Sequence, residues 1–225
     1  MISKCGERRI WHWAHRGERH CDHWWEPETE WHRAWKDKFP AEWQEIVHRA
    51  DNGEKHIADV KTAQGTVIEF QHSYLRPEER RSREAFYKPM IWIVDGLRRK
   101  RDKQSFDKTH CHIVRLAPLT LRMPTKHCSL LREWIDCPVP VFFDFGLTQE
   151  DLASFGTPIL WRLSPKSADD IAFVSPVPLE KFIDAVRKDG PIQGISRAIP
   201  RSRPVPPTSG FVRYLARKDQ RRARF

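Results

Sequence analysis

The sequence predicts an α/β chain, with a central mixed β-sheet flanked by helices. Three observations predict it. Two strand-like runs, residues 56–61 and 66–72, flank a Gln64-Gly65 turn signal and read as a hairpin. Residues 90–94, MIWIV, form a short, continuously apolar strand closed by Asp95-Gly96. Helical patterns stand before the hairpin and between it and the apolar strand, so the order is helix, hairpin, helix, strand.

Each element has its own local reason. Residues 1–28 are rich in His, Trp and charge and show no clean period, so they read as an irregular segment that a metal could staple. Thr29 is an N-cap with Glu30 just behind it, and Trp31, Trp35 and Phe39 then fall four apart on one face. Pro40 interrupts, and a second helical stretch is expected over residues 41–49, with Trp43, Ile46 and Val47 apolar. Asp51-Asn52-Gly53 is a turn signal. Pro77 suits the first turn of a helix reaching about residue 87, with Glu78 and Glu79 at its positive end.

Beyond Gly96 comes a basic run, LRRKRDK, and then strand-like stretches at 112–116, 139–145, 159–163 and 171–174. A helix is expected over 179–188. Residues 197–209, rich in Pro, Arg and Ser, read as a linker or loop, and RKDQRRARF is a basic tail. The chain divides into an N-terminal segment (1–28), a core (29–97), a second α/β region (98–196) and the linker with its tail (197–225).

Composition narrows the function classes. The chain has 225 residues, 39% of them hydrophobic and 31% charged, enough for one real core with a small appendage. No run of 18 apolar residues exists and the first residues are polar, so the expectation is a cytoplasmic protein that neither spans nor binds a membrane. The net charge of +10 and a sequence pI near 9.6 favour a polyanionic partner, nucleic acid above all. Five cysteines without disulfide-like spacing fit a reducing compartment.

The chemistry concentrates in the hairpin, IADVKTAQGTVIEFQ. Residues two apart on a strand share a face, so Glu69 and Gln71 point one way and Phe70 the other. With residues 59 and 70 near-opposite across the turn, Asp59 joins them at one end of the sheet. A carboxylate on each strand is the minimum needed to hold Mg²⁺, which takes one or two carboxylates plus phosphate oxygens and water. The same residues can equally be the solvated face of an edge hairpin.

The stretch HIADVKTAQGTVIEFQHSYLRPEERRSREAFYKPMIWIVDG resembles the competence protein CoiA-like nuclease family of the PD-(D/E)xK, restriction-endonuclease-like superfamily. The matching residues are Asp59, Glu69, Gln71, Ser73, Arg83, Tyr87, Trp92 and Gly96, and EWHRAWK (30–36) is similar to the family's leading helix. The resemblance implies a restriction-endonuclease-like core and cleavage of phosphodiester bonds in DNA, in the processing of incoming or foreign DNA. It implies that Asp59 and Glu69 hold Mg²⁺ or Mn²⁺. Gln71 would stand where most of the superfamily carries Lys. A Gln offers no full charge and cannot act as general base, so proton removal would rest on metal-bound water or on His56 or His72. Glu45, with Glu42 as the alternative, would be the extra helix carboxylate. Ser73, Arg80 and Arg83 are candidates for DNA contact; Arg83 can instead pair with Tyr87. His12 and His15 resemble the end of the family's zinc ribbon, but no Cys-x-x-Cys exists. Either the chain starts after the first two ligands, or Cys5 or Cys21 replaces them, so zinc is a second candidate cofactor. Two rival functions are a nucleic-acid-binding module that kept this fold without catalysis, and a zinc-dependent interaction protein built on the His/Trp-rich start.

Overall fold

The structure, a computed structural model, describes residues 2–4, 12–14, 24, 27–50, 53–110, 114–116, 120–165, 170–188 and 190. Two short strands, β1 (Ile2–Lys4) and β2 (His12–Ala14), pair antiparallel by themselves. The rest is built on one nine-stranded mixed sheet.

The first helix, α1 (Glu30–Lys36), starts at Thr29 as expected, whose hydroxyl accepts the His32 amide. Its indoles pin it to the sheet, with Trp35 Nε1 donating to Asp144 at 2.8 Å and Trp31 Nε1 to the same carboxylate oxygen at 3.1 Å. The expected helix over 41–49 is not formed. A single 3₁₀ turn, Ala41–Trp43, gives way to strand β3 (Gln44–Arg49). Ile46 and Val47 are β-branched and favour strand, and β3 finds an antiparallel partner in β4 (Lys55–Lys61).

Strand β4 turns into β5 (Val67–Gln71) through a tight turn in which Gly65 takes φ +92°, open to glycine at no steric cost. Then come α2 (Pro77–Phe86) and β6 (Met90–Asp95), which returns parallel to β5. Gly96 ends β6 against the Phe145 ring, which a Cβ at that position would strike.

The same sheet continues into the second half. After α3 (Lys100–His110) come β7 (Val114–Leu116), β8 (Thr120–Pro124), α4 (Ser129–Trp134) and β9 (Val141–Asp144), then α5 (Gln149–Phe155), β10 (Ile159–Leu163), β11 (Ile171–Pro178) and α6 (Leu179–Arg187). The strand order is β3-β4-β5-β6-β9-β10-β11-β8-β7, parallel from β5 through β9 and antiparallel on both flanks. Strands from residues before and after 97 therefore share one sheet. The helices α3, α4 and α5 and the strand β8 are additions to the elements expected from the sequence.

Two apolar layers sandwich the sheet. Trp35, Phe39, Ile68, Phe70, Ile93 and Phe182 fill the layer under α1 and α6. Tyr87, Trp92, Phe106, Trp134, Phe143 and Trp161 fill the layer under α2, α3 and α4. All five residues of β5 are buried, so its polar residues Glu69 and Gln71 sit inside the protein. No helix among the described residues is long and apolar enough to cross a membrane.

Candidate active site

Two breaks in the sheet create the site. The β4–β5 register, Val60↔Ile68 and Lys61↔Val67, sets Asp59 opposite Glu69, one residue away from the spacing expected from the sequence. There the backbone ladder stops and side chains take its place. The Asp59 amide donates to Glu69 Oε1 at 3.3 Å, and the Phe70 amide donates to Asp59 Oδ2 at 2.9 Å. On its other side the β3–β4 register skips the Glu45–Asp59 pair. Glu45 stands there in the left-handed region at φ +52°, a conformation that costs a non-glycine residue about 1–3 kcal/mol. Strand β4 also rolls over at this point, for Ala58 belongs to one apolar layer and Val60 to the other.

The strands part into a cleft of about 160 Å³, room for several waters. Asp59, Glu69 and Phe70 form its floor, His32 and Lys36 reach in from α1, Arg83 from α2, and Glu28 and Glu45 stand at its edge. Arg83 is buried, with its guanidinium 3.2 Å from Glu69 Oε2, 2.6 Å from Glu79 and 2.8 Å from the Trp24 carbonyl. The Lys36 ammonium lies 3.1 Å from Glu45, 3.2 Å from Glu28 and 3.6 Å from Asp59 Oδ1. His32 donates through Nε2 to the Phe70 carbonyl at 2.9 Å, which ties α1 to β5 beside the carboxylates.

Charge dominates this cleft. Four carboxylates line it against two permanent cations, Lys36 and Arg83. Burial first, and then the neighbouring Asp59 carboxylate, push the Glu69 carboxyl up to about 8 against the pull of Arg83. Asp59 is raised too, by burial first, with the Phe70 amide and Lys36 working the other way. Burial works against the charge of Lys36, but Asp59, Glu45 and Glu28 outweigh it and hold the ammonium above its ordinary value.

Other residues singled out in the sequence take different places. Gln71 is buried on β5, but its amide donates to Ser73 at 3.2 Å (Oγ) and 3.3 Å (carbonyl), and neither residue lines the cleft. Glu45 is a strand residue and not the helix carboxylate expected; Glu42 is exposed in the 3₁₀ turn. Arg80 is only 3% exposed, paired with Glu84 and Asp136, so it ties α2 to the segment after α4 and is not displayed to a ligand. In the basic run, Arg98 and Arg99 both reach Asp102 and Glu133. His56 is buried, stacked on Trp24 and bonded to Glu54, whereas His72 holds Asp95 through Nδ1 at 2.7 Å with its side chain 38% exposed. Cys5, His15 and Cys21 lie outside the described residues, and of His12 only its place in β2 is described.

Lys36, His32 and Glu28 were not among the sequence candidates. The signal was present in EWHRAWK: His32 and Lys36 are four apart, hence on one face of a helix whose neighbouring positions are Trp. Comparison with protein-family models, curated proteins and solved structures gives no match to this chain.

Proposed function

We propose that this protein is a divalent-metal-dependent nuclease that hydrolyses phosphodiester bonds in DNA, with Asp59 and Glu69 as the metal ligands. One observation carries the reading: two carboxyl groups face each other where the β4–β5 ladder breaks, in a cleft that four acidic side chains share with Lys36 and Arg83. The donor set fits a hard cation. It is all oxygen, and a carboxylate pair is what Mg²⁺ takes alongside water and phosphate oxygens. Among the described residues no group of three His, Cys, Asp or Glu side chains is placed to hold a metal ion, so the proposed site rests on the Asp59–Glu69 pair. The restriction-endonuclease-like resemblance of residues 56–96 adds to this reading and points to incoming or foreign DNA as the substrate.

A divalent cation here would activate water and neutralise charge on the phosphate. The chain's own groups do the rest. Arg83 fixes the Glu69 carboxylate, the Phe70 amide fixes Asp59, and Trp35 and His32 hold α1 against the strands so that the cleft keeps its shape. In the reaction the water oxygen bonds to phosphorus and the bond to one sugar oxygen breaks. The water loses a proton to solvent and the leaving oxygen takes one, giving a phosphate monoester and a free hydroxyl.

The test is cleavage of labelled single- and double-stranded DNA with Mg²⁺ or Mn²⁺, each with and without EDTA. Cutting that EDTA abolishes is the expected result. Binding without cutting under any divalent metal would instead make this a nucleic-acid-binding module.

A further inference from the structure

We infer that Lys36, carried on α1, is the charged hydrogen-bond donor of the reacting centre, contacting the attacking water and a non-bridging phosphate oxygen. The inference rests on the nuclease reading above. Its origin is a mismatch between the strand and the cleft. The strand position two beyond Glu69 holds Gln71, which brings no charge and directs its amide to Ser73 outside the cleft. The cleft nevertheless contains an ammonium, delivered from a different element.

Its surroundings suit exchange with a substrate. An ammonium has three protons, and three carboxylates surround this one. Asp59 is held in place by the Phe70 amide. Glu45 and Glu28 are the loose partners, with 66% and 34% of their side chains exposed against 9% for Lys36. A phosphate oxygen entering the cleft can displace either of them, and the released carboxylate returns to water at little cost. The Lys36 nitrogen stays near Asp59 throughout, adjacent to the metal ligands. A buried ammonium aimed at a phosphate acts in a low-dielectric site, where a fixed charge is worth far more than in water.

A purely structural role, an ion pair tying α1 to β3 and β4, is the alternative to separate. The full chain is used, with Lys36→Met, Lys36→Gln and Lys36→Arg. Measurements are kcat and KM on the same labelled DNA, Mn²⁺ affinity by calorimetry, and thermal midpoint. The expected result is a loss of about 10²–10³ in kcat for Met and Gln, the range found when one well-placed electrostatic donor is removed. KM and the folded fraction should stay near wild type, Mn²⁺ should bind as tightly or more tightly, and Arg should retain part of the rate. Wild-type kcat in both neutral variants, while Asp59→Ala is inactive, overturns the role of Lys36 and leaves the nuclease reading standing. A rate loss that only tracks a loss of folded protein in both variants assigns Lys36 to structure and also overturns it. A wild-type chain that cuts with no divalent metal overturns both.

Discussion

At the residue scale the central fact is a conflict between burial and charge. Burial raises both the Glu69 and the Asp59 carboxyl above the usual carboxylate range, and for Glu69 the carboxylate opposite adds to it. A carboxyl whose pKa is raised on folding binds more protons in the folded state than in the unfolded one. Its stabilisation is complete below the ordinary carboxylate range and is lost as pH rises towards about 8 for Glu69. The metal-free protein should therefore lose stability across that window, as read by thermal midpoint against pH, and Glu69→Gln should flatten the profile. Added Mn²⁺ should raise the midpoint most at the alkaline end, because a cation binds the ionised pair. In the sequence the hairpin brought Asp59 and Glu69 to one end of the sheet, but with residue 70 opposite Asp59, one place away from the observed register. Gln71 was placed on the right strand, but its hydrogen bond to Ser73 was not legible, because amide orientation depends on a loop and not on spacing.

At the element scale, the elements from α1 to β6 were readable because caps, turns and apolar periods are local signals. Two parts before β6 were not: β1 and β2 pair within a segment read as irregular, and at 41–49 a mixed polar pattern fits either period and the partner strand β4 decided the outcome. Arg80 shows the same limit: a helix of Arg and Glu reads as a solvated face, yet Glu84 and Asp136 draw this guanidinium inward. Arg80→Ala should thus act on stability rather than on DNA. It leaves the buried Glu84 without its cationic partner, with only Trp92 and Cys137 still donating to it, and removing one member of a buried pair at other sites costs about 3–5 kcal/mol. Denaturant unfolding should show this loss, and DNA affinity measured on the folded fraction should be unchanged. Reduced affinity with unchanged stability would return Arg80 to the binding surface.

For the whole molecule, one sheet shared by the two halves means that the site sits towards one end of a nine-stranded scaffold. The fold class was legible, but the strand order was not, since β7 and β8 precede β9 in the chain yet lie at the far edge. Net charge acts at this scale. With +10 overall, duplex binding should weaken steeply with salt, log K falling by about 0.9 per neutralised phosphate against log salt. Removing residues 218–225 should lower the slope without changing sequence preference, and a salt-independent affinity would contradict a phosphate-reading surface. The most direct measurement compares wild type with Asp59→Ala on one DNA, with one Mg²⁺ concentration, following cleavage and binding together. The account predicts a rate loss of at least about 10²–10³, with affinity unchanged or higher, since a negative charge facing phosphate has gone. Asp59→Ala cutting as fast as wild type would contradict it.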